Sequence, residues 1–383
     1  MPPSASRPDW DIFCRVIDNF GDIGVCWRLA RQLIREYRLR VRLWVNDLHT
    51  FKRLCPAVTP EMACQTIDGL DIGRWDDPFP SVIPGEVVLE TFACHLPDTY
   101  VDRMAQIVPP PVWINLDYLS AENWVSGCHA LPSPHPQLPL TKYFFFPGFT
   151  SDTGGLLREN DLELRRSQFV ATPCRQAAFW QSLAQSAPDA GTRLVSLFAY
   201  DNPALLTLLQ SWERSAQPVC CLAPATRGQQ AVDIFAGRPL RIGESIRRGA
   251  LEFRRLSFLA QEDYDQLLWL CDVNFVRGED SFVRAQWAAR PLVWHIYPQS
   301  ENAHRSKLEA FLDRYRKGLP ATADSALRKL WLAWNSGHLA GDEWQQWLVE
   351  ADRLTCHAKR WQQQLLALPD LASSLLRFAR SRI

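Results

Sequence analysis

The 383-residue chain carries no net charge, with Lys+Arg and Asp+Glu each numbering 42. That balance argues against a general nucleic-acid or membrane-surface binder, although it leaves local patches open. Metal-ligand spacings are also lacking. None of the eleven cysteines forms Cys-x-x-Cys, and none of the eight histidines pairs as His-x-x-x-His, so no metal site is expected. The scattered, odd-numbered cysteines read as reduced and mostly buried thiols of a cytoplasmic protein, with the adjacent Cys220 and Cys221 suited to strand packing. The first ten residues have no apolar signal-peptide core, and no apolar run is long enough to span a bilayer.

What is present is ordinary globular material: 47% hydrophobic and 22% charged residues, with sixteen tryptophans. Most of these indoles should be core, because large rings bury much apolar area. The length suits two domains. In the first half, short apolar runs alternate with helical spans. Residues 11–17 read as a first strand and 25–34 as a helix. Residues 41–45, 84–92 and 112–119 read as further strands of a parallel α/β sheet.

A Pro- and Gly-rich stretch follows at 131–155, and the domain boundary is placed after it, at 155/156. A second alternating series then begins. It has strands at 193–200, 218–223, 251–259, 273–276 and 292–296. Its helices fall at 203–214, 263–271, 281–290 and 301–315. The chain is helical from about 340, with the segment from about 358 expected to pack back on the first domain. Two such domains facing each other across a cleft is the predicted architecture.

Two loops can carry chemistry. The first is Asp18-Asn19-Phe20-Gly21-Asp22, between the first strand and its helix. It lacks the lysine of a phosphate-gripping loop and does not match Gly-x-Gly-x-x-Gly. Its carboxylates suit binding an acceptor or taking a proton; alternatively, Asp22 merely caps the helix. The second is Arg277-Gly278-Glu279-Asp280-Ser281, which leaves a strand and opens a helix. Asp280 or Ser281 can cap that helix, and its first-turn N–H groups, with Arg277, can receive a phosphate. Glu279 and Asp280 would repel a bare diphosphate, so at least one should face sugar hydroxyls; a capped helix with a surface ion pair is the alternative. Phe198, Tyr200 and Phe258, at strand ends, could stack on a nucleobase or simply be core. Tyr297 and Gln299 follow the strand at 292–296 on the same side as the Arg277 loop. His95 reads as a satisfied polar residue, and Asp117 and Tyr118 end a strand with their role open.

With these blocks in view, "VIDNFGDIGVCWRLARQL", "ETFACHLP", "YLSAE", "FVRGEDSFVRAQWA" and "WHIYPQ" resemble the bacterial protein-arginine rhamnosyltransferases of elongation factor P, the EarP family. The match runs in order along most of the chain and is weaker over 55–80, 225–250 and the C-terminal helices. The resemblance implies a GT-B fold, dTDP-β-L-rhamnose as donor, one arginine of elongation factor P as acceptor, inversion at the anomeric carbon, and neither metal nor other cofactor. It places the family's two acidic-loop aspartates at Asp18 and Asp22 and its donor-site residues at Arg277, Gly278, Glu279, Asp280 and Ser281. It puts Phe198, Tyr200 and Phe258 at the base. Asn19, Phe20, Gly21, Gln261 and Tyr297 are further donor contacts it implies. A monomer that activates its acceptor for rescue of polyproline-stalled ribosomes is the expected physiology.

A guanidinium, with a pKa above about 12 and delocalised lone pairs, is a poor nucleophile. One carboxylate can orient it bidentately while another takes the proton as the C–N bond forms. Asp22 is assigned as base and Asp18 as orienting partner, in an order the residues fix only weakly. A folded acceptor would dock mainly on the first domain, around the acidic loop. Two other readings stay open: a GT-B enzyme with a lipid or small-molecule acceptor, and a non-catalytic nucleotide-sugar-binding protein.

Overall fold

In the computed structural model, residues 7–17, 20–225, 230–298 and 303–383 are described. The chain divides into two units, the first comprising residues 1–160 and 367–383, the second 161–366.

The first unit is built on an eight-stranded sheet. Its strands are β1 (Trp10–Cys14), β2 (Val41–Val45), β3 (Cys64–Ile67), β4 (Leu70–Arg74), β5 (Val87–Thr91), β6 (Val112–Leu116), β7 (Leu131–Pro134) and β8 (Thr141–Phe145). The order is β3-β4-β2-β1-β5-β6-β8-β7. All neighbours are parallel except the outer pairs β3–β4 and β7–β8. Helices α1 (Gly21–Tyr37), α2 (Leu48–Leu54), α3 (Asp98–Ala105) and α4 (Trp124–Cys128) connect the strands.

Every residue of β1 is buried, including the carboxylate of Asp11. That charge is tolerated because it is fully partnered. Arg42 donates through Nε and Nη2 at 2.6 and 2.7 Å, the Gly85 N–H at 2.7 Å and the Tyr100 hydroxyl at 2.5 Å. The hub ties β1 to β2, to the entry of β5 and to α3.

The second unit holds a six-stranded sheet of β9 (Arg193–Leu197), β10 (Val219–Pro224), β11 (Ser245–Arg248), β12 (Leu251–Leu256), β13 (Val273–Arg277) and β14 (Leu292–His295). Its order is β11-β12-β10-β9-β13-β14, parallel but for β11–β12. Its helices are α5 (Leu162–Ala171), α6 (Pro173–Ser182), α7 (Leu205–Glu213), α8 (Gln230–Ala236), α9 (Gln261–Leu270), α10 (Asp280–Trp287), α11 (Ala303–Tyr315), α12 (Ala321–Ser336), α13 (Glu343–Val349) and α14 (Ala351–Leu366). Trp212, Trp331, Trp334, Trp344 and Trp347 are fully buried here, as expected of core indoles. All eleven cysteines are free, and most are buried.

The division of the chain differs from the sequence expectation at both ends. The first unit runs on to residue 160, because the Asn160 N–H donates to Glu36 on α1 at 2.7 Å. The chain re-enters that unit at residue 367 rather than near 358. Helix α14 stays with the second unit through the indole N–H of Trp361, which donates to Gln286, and Gln362, which donates to Glu163. Of the described helices after residue 160, only α15 (Leu371–Arg380) belongs to the first unit, where Phe378 packs on Tyr143 and Phe145.

The topology selects the site. In a doubly wound sheet, ligands meet the carboxyl ends of the strands where successive connections diverge to either side. Those points are β1, between β2 and β5, and β9, between β10 and β13. The acidic loop leaves β1. Phe198 and Tyr200 follow β9, and the Arg277 loop follows β13.

Candidate functional site

On the first unit, Asp18 and Asn19 lie outside the described residues. Phe20 ends the loop with the Arg53 guanidinium 5.0 Å from its ring centroid, and Gly21 opens α1. Asp22 falls in the first turn of α1 and is 2% exposed. A carboxylate there is favoured by the positive end of the helix dipole. It does not cap the helix; Phe20 holds the N-cap position without a side-chain bond. Asp22 Oδ2 instead accepts the Ile17 N–H at 2.8 Å, which ties the segment after β1 to the first turn of α1. Its Oδ1 faces the Tyr118 hydroxyl at 3.4 Å. Beneath the loop, burial raises the Cys14 thiol well above its ordinary range, with Cys26, Asp22 and Cys94 adding to it. The Cys14 thiol is therefore neutral, not a nucleophilic group.

On the second unit, the Arg277 guanidinium is held between two rings, 4.5 Å from the centroid of Phe198 and 4.6 Å from that of Tyr200. Tyr200 in turn meets Tyr297 edge-on at 5.4 Å, and Tyr297 is 43% exposed. Four of the sequence-selected residues are thus brought into one cluster. Gln299 lies outside the described residues. Phe258 is half-buried just beyond the end of β12.

The turn after β13 needs the left-handed region at Gly278, with φ 62°, which glycine enters without penalty. The Trp294 indole N–H pins it by donating to the Gly278 carbonyl at 2.9 Å. Trp294 is itself stacked on Phe282 at 3.9 Å.

The expected caps of α10 do not form. Glu279 occupies the N-cap position without a side-chain bond. Ser281 is bound to the loop it follows: its hydroxyl donates to the Arg277 carbonyl and accepts the Arg277 N–H at 3.1 Å. Asp280 is engaged sideways, accepting from Gln261 Nε2 at 3.2 Å, and Gln261 is the first residue of α9. No side-chain bond from Glu279 caps α10, and its first turn is the positive end of a helix that closely follows Arg277. That combination suits an anionic group.

Sequence reasoning missed the support of this loop. Trp294 and His295 lie inside the "WHIYPQ" block, where the sequence pattern shows them only as strand residues. His295 is buried, meets Tyr200 edge-on at 5.3 Å and lies opposite Arg277 in the β13–β14 register. Burial, with the charges of Arg277 and His304, pushes its imidazole down to about 4, so it is neutral beside the arginine. Among the described residues, no cluster of three or more His, Cys, Asp or Glu could hold a metal ion. Among them, too, no helix is long and apolar enough to cross a membrane.

Comparison with known proteins places this arrangement. A protein-arginine rhamnosyltransferase of Pseudomonas putida KT2440 is 49% identical over 378 residues, covering 98% of this chain and all of its own. A solved structure described as the structural basis for EarP-mediated arginine glycosylation of translation elongation factor EF-P superposes with TM-score 0.70 at 38% identity. It covers 98% of this chain and 100% of that one. A UDP-glucosyltransferase from Polygonum tinctorium shares the fold at 10% identity, with TM-score 0.52 over 98% of this chain and 99% of its own. The architecture is that of the GT-B glycosyltransferases. The family model of the elongation-factor P (EF-P) rhamnosyltransferase EarP matches residues 10–380, and the chain belongs to that family.

Proposed function

We propose that this protein transfers L-rhamnose from dTDP-β-L-rhamnose to one arginine side chain of elongation factor P, with inversion at the anomeric carbon and without a metal ion. The observation that carries the reading is Arg277, fixed between Phe198 and Tyr200 just before the first turn of α10. In this reading the guanidinium and the amides receive the diphosphate, and the neighbouring aromatic faces hold the base. Gln261 and Asp280, bonded to each other, with Glu279 and Tyr297, orient donor hydroxyls. Phe258 contributes a further ring.

The acceptor nitrogen attacks the anomeric carbon from the face opposite the nucleotide. Asp22 takes the proton as the C–N bond forms, and the C–O bond to the diphosphate breaks with its electron pair leaving on dTDP. Charge developing on that oxygen is stabilised by Arg277 and the α10 amides. Loss of one such donor costs about 3 kcal/mol in the transition state. Asp18 and Asn19 complete the acidic loop, with Asp18 orienting the guanidinium. The modified factor then acts at polyproline-stalled ribosomes. The enzyme works in the cytoplasm as a monomer, and the acceptor is recognised as a folded domain.

Intact mass spectrometry of elongation factor P after incubation with this protein and dTDP-β-L-rhamnose tests the reading. A gain of one deoxyhexose, mapped to an arginine and absent with Asp22→Asn, is expected. An unmodified acceptor would sink it. A gain that survives Asp22→Asn would remove the assigned base.

A further inference from the structure

Among the described residues, three of the eight non-glycine residues with positive φ fall within four consecutive positions. Phe92, Ala93 and His95 have φ of 56°, 51° and 54°, directly after β5. Side chains disfavour this region, and such a run persists only where its surroundings over-determine it. They do so here. The Phe92 N–H donates to the Leu116 carbonyl at 2.7 Å, the Cys94 N–H to the Thr91 carbonyl at 3.1 Å, and the Thr91 hydroxyl to the Phe13 carbonyl at 2.6 Å. Glu90, fully buried, accepts the His95 N–H at 3.2 Å, the Trp113 indole N–H at 3.0 Å and Lys142 Nζ at 3.3 Å. The segment is thus clamped to β1, β6 and β8.

The product of the clamp is the direction of one ring. Phe92 is turned so that it stacks on Tyr118, with centroids 4.5 Å apart and planes at 19°. Tyr118 lies just beyond β6, its hydroxyl 3.4 Å from Asp22 Oδ1. That separation is long for an O–H···O bond, and catalytic hydrogen bonds of an unliganded site commonly tighten in the reacting complex.

We propose that Phe92 and Tyr118 are positioning residues for Asp22: the left-handed turn after β5 fixes Phe92, Phe92 fixes the Tyr118 ring by stacking, and the Tyr118 hydroxyl holds Oδ1 so that the carboxylate keeps one orientation toward the acceptor. The inference rests on the reading of Asp22 as proton acceptor. The Ile17 N–H restrains Oδ2, and the Tyr118 hydroxyl adds a donor on Oδ1. Other titratable groups on the packed elements are Cys14 on β1, Cys26 on α1, Cys94 and His95 after β5, Glu90 on β5, and Asp117, which accepts the Tyr118 N–H at 2.8 Å. Burial keeps Cys14 and Cys94 neutral, Cys94 being pushed up to about 12, so neither titrates near neutrality.

The test is the pH dependence of kcat for elongation factor P with saturating dTDP-β-L-rhamnose. Tyr118→Phe keeps the stacked ring and deletes only the hydroxyl. It is expected to lower kcat about five- to tenfold and move the acid limb up by about half a pH unit, because the ionised carboxylate loses a donor. KM for the donor should not change. Phe92→Leu should do the same more weakly, and the double variant should be no worse than Tyr118→Phe, since both act through one hydroxyl. Wild-type kcat and an unmoved limb in Tyr118→Phe, with Asp22→Asn inactive, would overturn the positioning role and leave the base standing. Turnover by Asp22→Asn would overturn both. Additive losses in the double variant would also count against it.

Discussion

The Arg277 guanidinium lies 4.5 Å from the centre of the Phe198 ring, on the strand-end loops that follow β13 and β9. Because the second ring, Tyr200, is almost equally near, the cation is oriented before any ligand arrives. Arg277→Lys keeps the charge but loses the planar fork and its stacking. A desolvated cation–π contact is worth about 1–2 kcal/mol. Binding of dTDP, measured by calorimetry, is therefore expected to weaken about tenfold. Phe198→Leu should weaken it less. Unchanged affinity in Arg277→Lys would show that the stack does not organise the site.

A second expectation concerns what holds α9 against α10. Arg284 donates through Nε and Nη2 to Asp265 at 2.9 and 2.6 Å, and both side chains are 1% exposed. Removing one partner leaves a buried, unpaired charge, which costs about 3–5 kcal/mol. Asp265→Leu should lower the urea midpoint by that equivalent. The double variant Asp265→Leu/Arg284→Met should recover much of the loss, because neither charge remains. Since α9 begins at Gln261 and α10 at Asp280, the single variant should also weaken dTDP binding. A double variant less stable than the single would contradict the argument.

Most central strands were legible in the sequence, whereas β4, β8 and the antiparallel edge strands were not. Strands such as Val41–Val45 and Val112–Leu116 are short apolar runs buried on both faces, and periodicity finds those. The antiparallel edge strands, Cys64–Ile67, Leu131–Pro134 and Ser245–Arg248, went unread. They are half exposed and carry no such run; Leu131–Pro134 even contains two prolines, which only an edge tolerates. At the site, Arg277, Phe198, Tyr200 and Tyr297 were selected from their loops, and the structure brings them together. Ser281 was selected as a cap or ligand contact, and its hydroxyl is bound to the Arg277 backbone. A hydroxyl's partner depends on local backbone path, which spacing does not encode. Trp294 and Phe92 support the two loops through the Gly278 carbonyl and the Tyr118 ring. Both are long-range contacts that a single sequence gives no means to pair.

His295 makes stability depend on pH with a definite sign. Its imidazole is depressed to about 4 in the folded protein, against about 6.5 in an unfolded chain. The unfolded state therefore binds the proton more readily throughout that interval. Its contribution is complete above about pH 6.5 and is lost as pH falls toward 4, amounting to about 3 kcal/mol over the whole window. His295→Phe, which cannot titrate, should flatten the fall in thermal midpoint between pH 6.5 and 4.5. Parallel slopes in the two proteins would assign that fall to other groups.

The return of the C-terminal segment to the first unit depends on a glycine. Gly155 has φ 73°, and a Cβ there would strike the carbonyl oxygen of Pro369. The absence of that atom lets the Leu156 carbonyl accept the Leu371 N–H at 3.0 Å and Asp370 reach Gln32 Nε2 at 3.2 Å. Asp370 also caps α15 by accepting the Ser373 N–H at 3.0 Å. Gly155→Ala combines a left-handed backbone penalty with a steric one and should cost about 2–3 kcal/mol. The cost should fall on the docking of α15, because the chain before Ala367 leads into the second unit and α15 is held to the first by contacts such as these. Limited proteolysis followed by mass analysis should release a C-terminal fragment from Gly155→Ala sooner than from wild type. Asp370→Ala, which loses the cap and the Gln32 contact, should show the same cleavage to a smaller degree, at about 1 kcal/mol. Equal resistance in all three proteins would mean that α15 is held by its apolar face alone, through Phe378 on Tyr143 and Phe145.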